Sequence, residues 1–363
     1  MATASRLVSE TPVSPSLVEN IHRLQQIYTC WFPTLRPVEI VAEHLPPAAD
    51  RPESTFALFS GGVDSFHTAI TEAPRLTGLL YIRAMDMLEQ DQALIDSVIG
   101  HLSSAAAELS LPLALADTNV RQFSEPWADW ATQYHLMAPA AVAHVASDGI
   151  TLLLATADRS YRNLYPWGGH PLTSPLFGSD RVAIEPIGWG SRRIDRATAL
   201  GDHQVALDHL RVCWRNPNGE FNCNRCEKCI RTRIALALVG ALDRCPTLQS
   251  PIGVDEVLRT ELNEVTVDHW RDALAFAAER SIEHELIPAM RRCVDAYESS
   301  SAKSRLTVDL NGLLEAEDGH EFLLPNRERI FDTMWAHHAR WLTGQTLRRL
   351  PGRLGARFRR RRR

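Results

Sequence analysis

The chain has 363 residues, 45% hydrophobic and 23% charged, a balance that fits a globular fold with one large domain or a domain with appendages. No apolar run reaches transmembrane length, and the start MATASRLVSETPVSPS lacks the apolar stretch of a signal peptide, so no membrane span is expected. The net charge of −5 hides a split: nine of 39 basic residues lie from Arg348 onward, which leaves 30 against 44 acidic ones and a body near −14 that is a poor general binder of nucleic acid. A cytoplasmic location is expected, where the seven cysteines stay reduced unless they hold metal.

In chain order, residues 1–15 read as disordered, SLVENIHRLQQIYTCWF as a helix and VEIVAEHL as a strand. These form an N-terminal extension over residues 1–50. Phe56-Ala57-Leu58-Phe59 reads as a short buried strand, and Phe66 to Ile70 as the first turns of a helix. Strands are then expected at Leu79–Ile82, Leu113–Ala116, ITLLLATA and VAIEPIG, with helices over residues 90–109 and 127–147. Strands alternating with helices imply βαβ units, hence an α/β fold with a doubly wound parallel sheet over residues 51–250. Beyond 250 the pattern turns helical to residue 347, with VDEVLRTELNEV, residues 267–298 and RERIFDTMWAHHARWLTGQTLRRL as the clearest pieces. The arginine-rich segment 348–363 reads as a disordered tail, with RNA, anionic lipid or an acidic partner as its candidate contacts.

The stretch SGGVDS, between the strand at Phe56 and the helix at Phe66, carries the first chemical signal. Gly61 and Gly62 let the backbone turn sharply, and a helix N-terminus after a strand collects unpaired amides and the positive helix pole. Ser60 and Ser65 add hydroxyls, and Asp64 places a carboxylate where a Mg²⁺ shared with phosphates would sit. A Walker loop needs a lysine after its glycines and a dinucleotide fingerprint needs G-x-G-x-x-G; neither pattern is present here. Three other groups fall just after predicted strands, at the sheet edge where such folds bind ligands. They are Asp86, the run Thr156 to Arg159 with Asp158, and Ser191 to Arg193, where Ser191 reads as a helix N-cap. With no lysine in the loop, Arg192 and Arg193 are the candidate cations for phosphate. Asp86 reads as an adenine or ribose contact or as an exposed turn carboxylate. Trp167 and His170, in PWGGHPL, either line an acceptor pocket or pack a loop.

The second signal is CWRNPNGEFNCNRCEKC, in which Cys213, Cys223, Cys226 and Cys229 follow C-x9-C-x2-C-x2-C. Gaps of two residues let neighbouring thiolates converge on one ion, and four thiolates favour a closed tetrahedral Zn²⁺ site. A [4Fe–4S] cluster is the competing occupant, since C-x2-C-x2-C also serves ferredoxins.

SGGVDS resembles the PP-loop of the N-type ATP pyrophosphatases, and with CNRCEKCIRTR the chain resembles their 7-cyano-7-deazaguanine synthase (QueC-like) branch over roughly residues 54–240. The resemblance implies the adenine nucleotide alpha hydrolase-like (HUP) fold and ATP and Mg²⁺ held by Ser60, Gly61, Gly62, Val63, Asp64 and Ser65. It also implies catalytic roles for Asp64, Ser65 and Arg193, further nucleotide contacts from Asp86, Asp158, Arg159 and Ser191, a Zn²⁺ on the four cysteines, and an arginine after that site matched by Arg231. The implied activity is a ligase that adenylates a carboxylate- or amide-type oxygen, releases pyrophosphate and replaces AMP with ammonia or an amine. A sulfur transferase acting on RNA or a small molecule and a non-catalytic nucleotide-binding module are the rival readings. Expected partners are a small-molecule acceptor and a nitrogen donor, with a homodimer and RNA contact by the tail left open. The helical C-terminal third departs from the compact family.

Overall fold

The computed structural model of the protein describes residues 1–3, 5–83, 85 and 91–315. Asp86, the expected helix after residue 326 and the basic tail lie outside the described residues.

Residues 1–293 form one compact unit. The chain opens with β1 (Arg6–Val8), α1 (Pro15–Trp31) and β2 (Glu39–Val41), and β1 pairs parallel to β2. Part of the opening segment expected to be disordered is therefore a strand. Next come β3 (Thr55–Leu58), α2 (Val63–Thr71), β4 (Gly78–Ile82), α3 (Gln92–Glu108) and β5 (Leu113–Ala116). The chain continues through α4 (Val120–Ser124), α5 (Met137–Val145), β6 (Leu152–Thr156) and β7 (Ala183–Ile187).

The main sheet has five parallel strands in the order β5-β4-β3-β6-β7. β4 is buried along its whole length, as befits a strand covered on both faces. The chain winds outward from β3 in one direction, then returns beside it as β6. The gap between the carboxyl ends of β3 and β6 is thus the topological switch point, where such sheets bind ligands.

Past the sheet lie α6 (Arg193–Ala199), α7 (Gln204–His209), α8 (Glu227–Ala237), α9 (Val254–Leu258), α10 (Val267–Glu279) and α11 (Leu286–Glu315). The second compact unit starts at Val294 within α11, and its described part is that helix as far as Glu315.

Three expected helices are broken for local reasons. The one over 267–298 stops at Glu279, where Ser281 takes φ +51° and the Ile282 amide turns back to the Ala277 carbonyl at 2.9 Å, and resumes as α11 at Leu286. A continuous helix over 127–147 would place Pro139 in its interior, where the missing N–H and the ring are costly. The chain instead makes a π-helical turn at Trp130–Tyr134 and restarts at Met137, which moves Pro139 into a first turn. After α9, the Asn263 side chain accepts the Val265 and Thr266 amides, each at 3.0 Å, and this Asx turn resets the chain before α10.

The N-terminal extension belongs to the core. Leu24, Tyr28 and Leu35 pack in one buried cluster with Leu153, Ala155 and Ile184 of the sheet. Polar ties reinforce this: Tyr28 donates to the Gln133 carbonyl at 2.5 Å, Asn20 to the Gly178 carbonyl at 3.0 Å, and Ser14 to Asp180 at 2.5 Å.

Candidate anion site and four-cysteine centre

The glycine turn lies at the switch point. Phe59 extends the ladder of β3 by donating to Leu80 at 2.8 Å, and the chain then turns at Gly61 with φ +74°. A side chain at 61 would be strained in that conformation, and its Cβ would lie 2.9 Å from Leu102 Cδ2. Gly62 caps α2, and a Cβ there would stand 3.4 Å from Ser60 Oγ, crowding the turn from inside. The first amides of α2 have no intrahelical acceptor and open at the carboxyl edge of the sheet. Asp64 sits in this first turn. The Ser65 hydroxyl, expected to face an anion, donates to the Gly62 carbonyl at 3.0 Å and closes the turn.

Cations converge on this turn from two helices. Arg193 forms a hydrogen-bonded ion pair with Asp64, and Arg196 Nε lies 3.2 Å from the second Asp64 oxygen. Arg196 is fully buried; its Nη1 donates to the Ala157 carbonyl at 2.5 Å and its Nη2 has no partner among the described residues. Arg231, on α8, pairs through Nε with Glu227 at 3.1 Å, while its buried Nη1 has no partner among the described residues. Arg159, just past β6, is 4% exposed, and its Nε and Nη1 also have no partner among the described residues.

Arg233 shows what a structural buried arginine looks like in this chain. Its three nitrogens reach Gln249 (2.7 Å), Asn224 (2.8 Å), Pro251 (3.0 Å) and Glu256 (2.6 Å). Guanidinium donors left unpaired in a buried setting are costly, so the four unsatisfied groups at the switch point form an incomplete arrangement that an anion would complete.

Electrostatics agree. Burial pushes the Asp64 carboxyl up, yet Arg193, Arg196, Lys228 and Arg231 outweigh it and hold it below the ordinary range. Burial lowers Arg231 to about 10. His269, on α10, is held well below the usual imidazole range by burial and by Arg231, Arg193, Arg159 and Arg196.

The other expected residues are distributed as follows. Ser191 is not the helix cap: its amide turns back to the Gly188 carbonyl at 3.2 Å, and α6 starts after Arg192. Arg192 is tied at 2.8 Å to both Asp195 and Glu279 and so stays out of the anion site. Asp158 accepts the Trp167 indole N–H at 2.6 Å. His170 packs edge-on to Trp31, with ring centres 4.9 Å apart, and accepts the Leu172 amide, so it belongs to a packed loop. Sequence reading missed Arg196, Lys228 and His269. The first two had a readable signal, since Arg196 follows Arg193 and Lys228 precedes Arg231 by three residues, on shared helix faces.

The four cysteines lie together, buried, with their sulfurs all within 4.8 Å of one another. Two of the pairs are Cys213–Cys226 at 4.0 Å and Cys223–Cys229 at 3.9 Å. Four sulfurs at about 2.3 Å from one tetrahedral ion lie about 3.8 Å apart, so the group could hold a metal ion such as zinc. An iron–sulfur cube would have to fit between the thiolates and spread them further. The Asn216 and Cys226 amides each donate to a cysteine sulfur at 3.3 Å. Asn222 braces the loop: it accepts the Val212 and Cys213 amides and donates to the Leu210 and Thr247 carbonyls.

Two structural links join this centre to the anion site. Arg211, two residues before Cys213, donates its amide to the Gly61 carbonyl at 2.8 Å. Cys226 caps α8, the helix that carries Cys229, Lys228 and Arg231.

A scan of protein-family models and a search of curated proteins each found no match to this chain. Among the described residues no helix is long and apolar enough to cross a membrane.

Proposed function

We propose that the protein is an ATP-dependent ligase of the PP-loop type, QueC-like in its chemistry, which releases AMP and pyrophosphate. The observation that carries this reading is the set of buried guanidinium donors without acceptors on Arg196 and Arg231, beside the glycine turn at the switch point. A multiply charged phosphate chain satisfies these donors and the first amides of α2 together.

Asp64 neutralises Arg193 and Arg196. Phosphate oxygens would replace Asp64 as their partner, and the released carboxylate is then available to hold Mg²⁺. The Mg²⁺ supplies neutralisation of the charge on the departing pyrophosphate. In the first step an acceptor oxygen bonds to the α-phosphorus as the bond to the bridging oxygen breaks, and that oxygen leaves with the electron pair on pyrophosphate. Arg193, Arg196, Arg231 and the turn amides stabilise this charge, which is positioning and electrostatic catalysis. In the second step an amine nitrogen displaces AMP from the activated carbon and loses a proton. The cysteine centre binds Zn²⁺ as a closed structural site with no open catalytic position.

The test is chromatography of α-labelled ATP incubated with Mg²⁺, the full-length protein and a small-molecule extract. Labelled AMP is expected, with loss in Arg231→Gln. Labelled ADP as the Arg231-dependent product would overturn the reading.

A further inference from the structure

Glu227 and Arg231 stand four residues apart on α8, with the acid on the N-terminal side, the spacing and order in which such residues pair most readily. Here the pair is not closed. Arg231 Nε lies 3.1 Å from Glu227 Oε1, yet among the described residues neither Nε nor Nη1 has a hydrogen-bond acceptor, and both are buried. The same oxygen instead accepts the Trp270 indole N–H at 2.8 Å. Trp270 belongs to α10, 43 residues further along the chain, and is 1% exposed, so core packing fixes the direction of its N–H.

Asp64 shows the alternative arrangement. It takes up Arg193 in a hydrogen-bonded ion pair and stands 3.2 Å from Arg196, so an anion has to compete with it for both. Glu227 would compete in the same way for Arg231 if it turned to accept the Nε–H, because a charge-assisted bond would satisfy a donor and neutralise the guanidinium. An indole N–H donates and accepts nothing. It can hold the carboxylate without adding a charge and without offering Arg231 a substitute acceptor.

Resting on the ligase reading above, we propose that Trp270 is a positioning residue for the anion site: its indole N–H keeps Glu227 from closing a hydrogen-bonded pair with Arg231, so that the guanidinium stays open to pyrophosphate. Trp270 acts through Glu227, so its effect should vanish once that carboxylate is neutral.

The experiment is calorimetry of metal-free pyrophosphate binding to the full-length protein, to Trp270→Phe, to Glu227→Gln and to the double variant. Phenylalanine keeps an aromatic ring and removes the N–H. Trp270→Phe is expected to bind about tenfold more weakly, the order of one charge-assisted hydrogen bond that the anion must displace. Glu227→Gln should bind at least as tightly as the wild type, and adding it to Trp270→Phe should restore most of the lost affinity. A loss caused by general damage to the core would persist in the double variant. Undiminished affinity in Trp270→Phe overturns the proposal, and so does a loss that Glu227→Gln fails to rescue. If Trp270→Phe does not fold, Glu227→Gln alone is decisive: weaker binding than wild type would mean that Glu227 supports Arg231 rather than competing for it, which also overturns the proposal. Failure of the ligase reading looks different: the wild-type protein itself would bind no pyrophosphate, and the proposal would fall with that reading.

Discussion

At the scale of single residues, Asp64 and His269 are the two groups whose behaviour the cations control. Asp64 is the counter-charge of Arg193 and Arg196, so it competes with any anion for them. Asp64→Asn should therefore have opposite effects on two ligands. Metal-free pyrophosphate should bind severalfold tighter, while Mg²⁺-dependent AMP formation falls at least about 100-fold, in line with loss of a charge-stabilising group. Without ligand the variant should lose about 1–3 kcal/mol, since two guanidiniums lose their partner. Calorimetry of pyrophosphate binding with and without Mg²⁺ checks the sign, and weaker metal-free binding would count against the competition. His269 is held well below 6.5, first by burial and then by Arg231, Arg193, Arg159 and Arg196. Between its folded value and 6.5 the unfolded chain binds a proton that the folded chain does not, so the free protein loses stability as pH falls through that window. Asp64 acts in a lower window: its pairing stabilises the fold above the ordinary value of 3.8 and is lost only as pH falls through its depressed folded value. A bound anion screens the arginines and raises His269, so anion binding should strengthen on acidification. Sulfate, which does not titrate in this range, is the suitable probe. Its affinity should rise as pH falls below 6.5 toward the depressed folded value of His269, and His269→Gln should flatten the rise. An equal rise in the variant would show that other groups carry the linkage.

At the scale of elements, the cysteine centre sets the geometry of the anion site, although no cysteine faces it. The Arg211 amide holds the Gly61 carbonyl, and α8 starts on Cys226 and carries Arg231 three residues past Lys228. Removing the metal, or replacing Cys226 with serine, should loosen both attachments at once. Structural zinc is bound with folding free energy, so the melting temperature should fall by several degrees and the protein should lose about one Zn²⁺ per chain. The informative measurement is amide hydrogen exchange: faster exchange is expected at residues 61–66 and in the first turns of α8. Unchanged exchange at Gly61 to Phe66 after complete metal loss would mean that the turn holds itself. Much of this was legible in the sequence because it is local. SGGVDS and the cysteine spacing announce their own geometry, and the apolar runs at Leu113–Ala116 and Leu152–Thr156 are strands where expected. The role of Arg192 was not legible, because its partner Glu279 comes from α10 and only the tertiary fold brings them together. Ser191 looked like a cap by residue type, but the turn at Gly188, with φ +80°, shifts the helix start by one residue.

At the scale of the whole molecule, an acidic body encloses a strongly cationic pocket, so attraction for anions is confined to the switch point rather than spread over the surface. The arginines that make the pocket come from three separate segments, the end of β6, α6 and α8, and sequence alone gives no sign that His269 of α10 joins them. The same holds for the N-terminal extension, whose amphipathic helix is readable but whose docking site is not. That extension supplies Leu24, Tyr28 and Leu35 to the cluster that also contains Leu153 and Ile184. Each such side chain contributes about 1.5–3 kcal/mol when fully buried. The three together are comparable with the net stability of about 5–15 kcal/mol expected for a folded protein. Deleting residues 1–45 would also strip the Ser14 and Asn20 tethers from the segment that leads into β7, the edge strand beside β6. The truncated chain should therefore fail to fold stably rather than lose an appendage: low soluble yield and an urea midpoint reduced by more than half are expected. A milder variant separates packing from chain length. Tyr28→Ala leaves the extension in place, removes one buried ring and its bond to the Gln133 carbonyl, and should cost about 3–5 kcal/mol. Pyrophosphate affinity should be unchanged in whatever fraction of Tyr28→Ala remains folded, because α1 packs on the sheet away from the glycine turn. A truncated protein with native urea midpoint and native pyrophosphate binding would show instead that the chain from residue 46 onward folds without the extension.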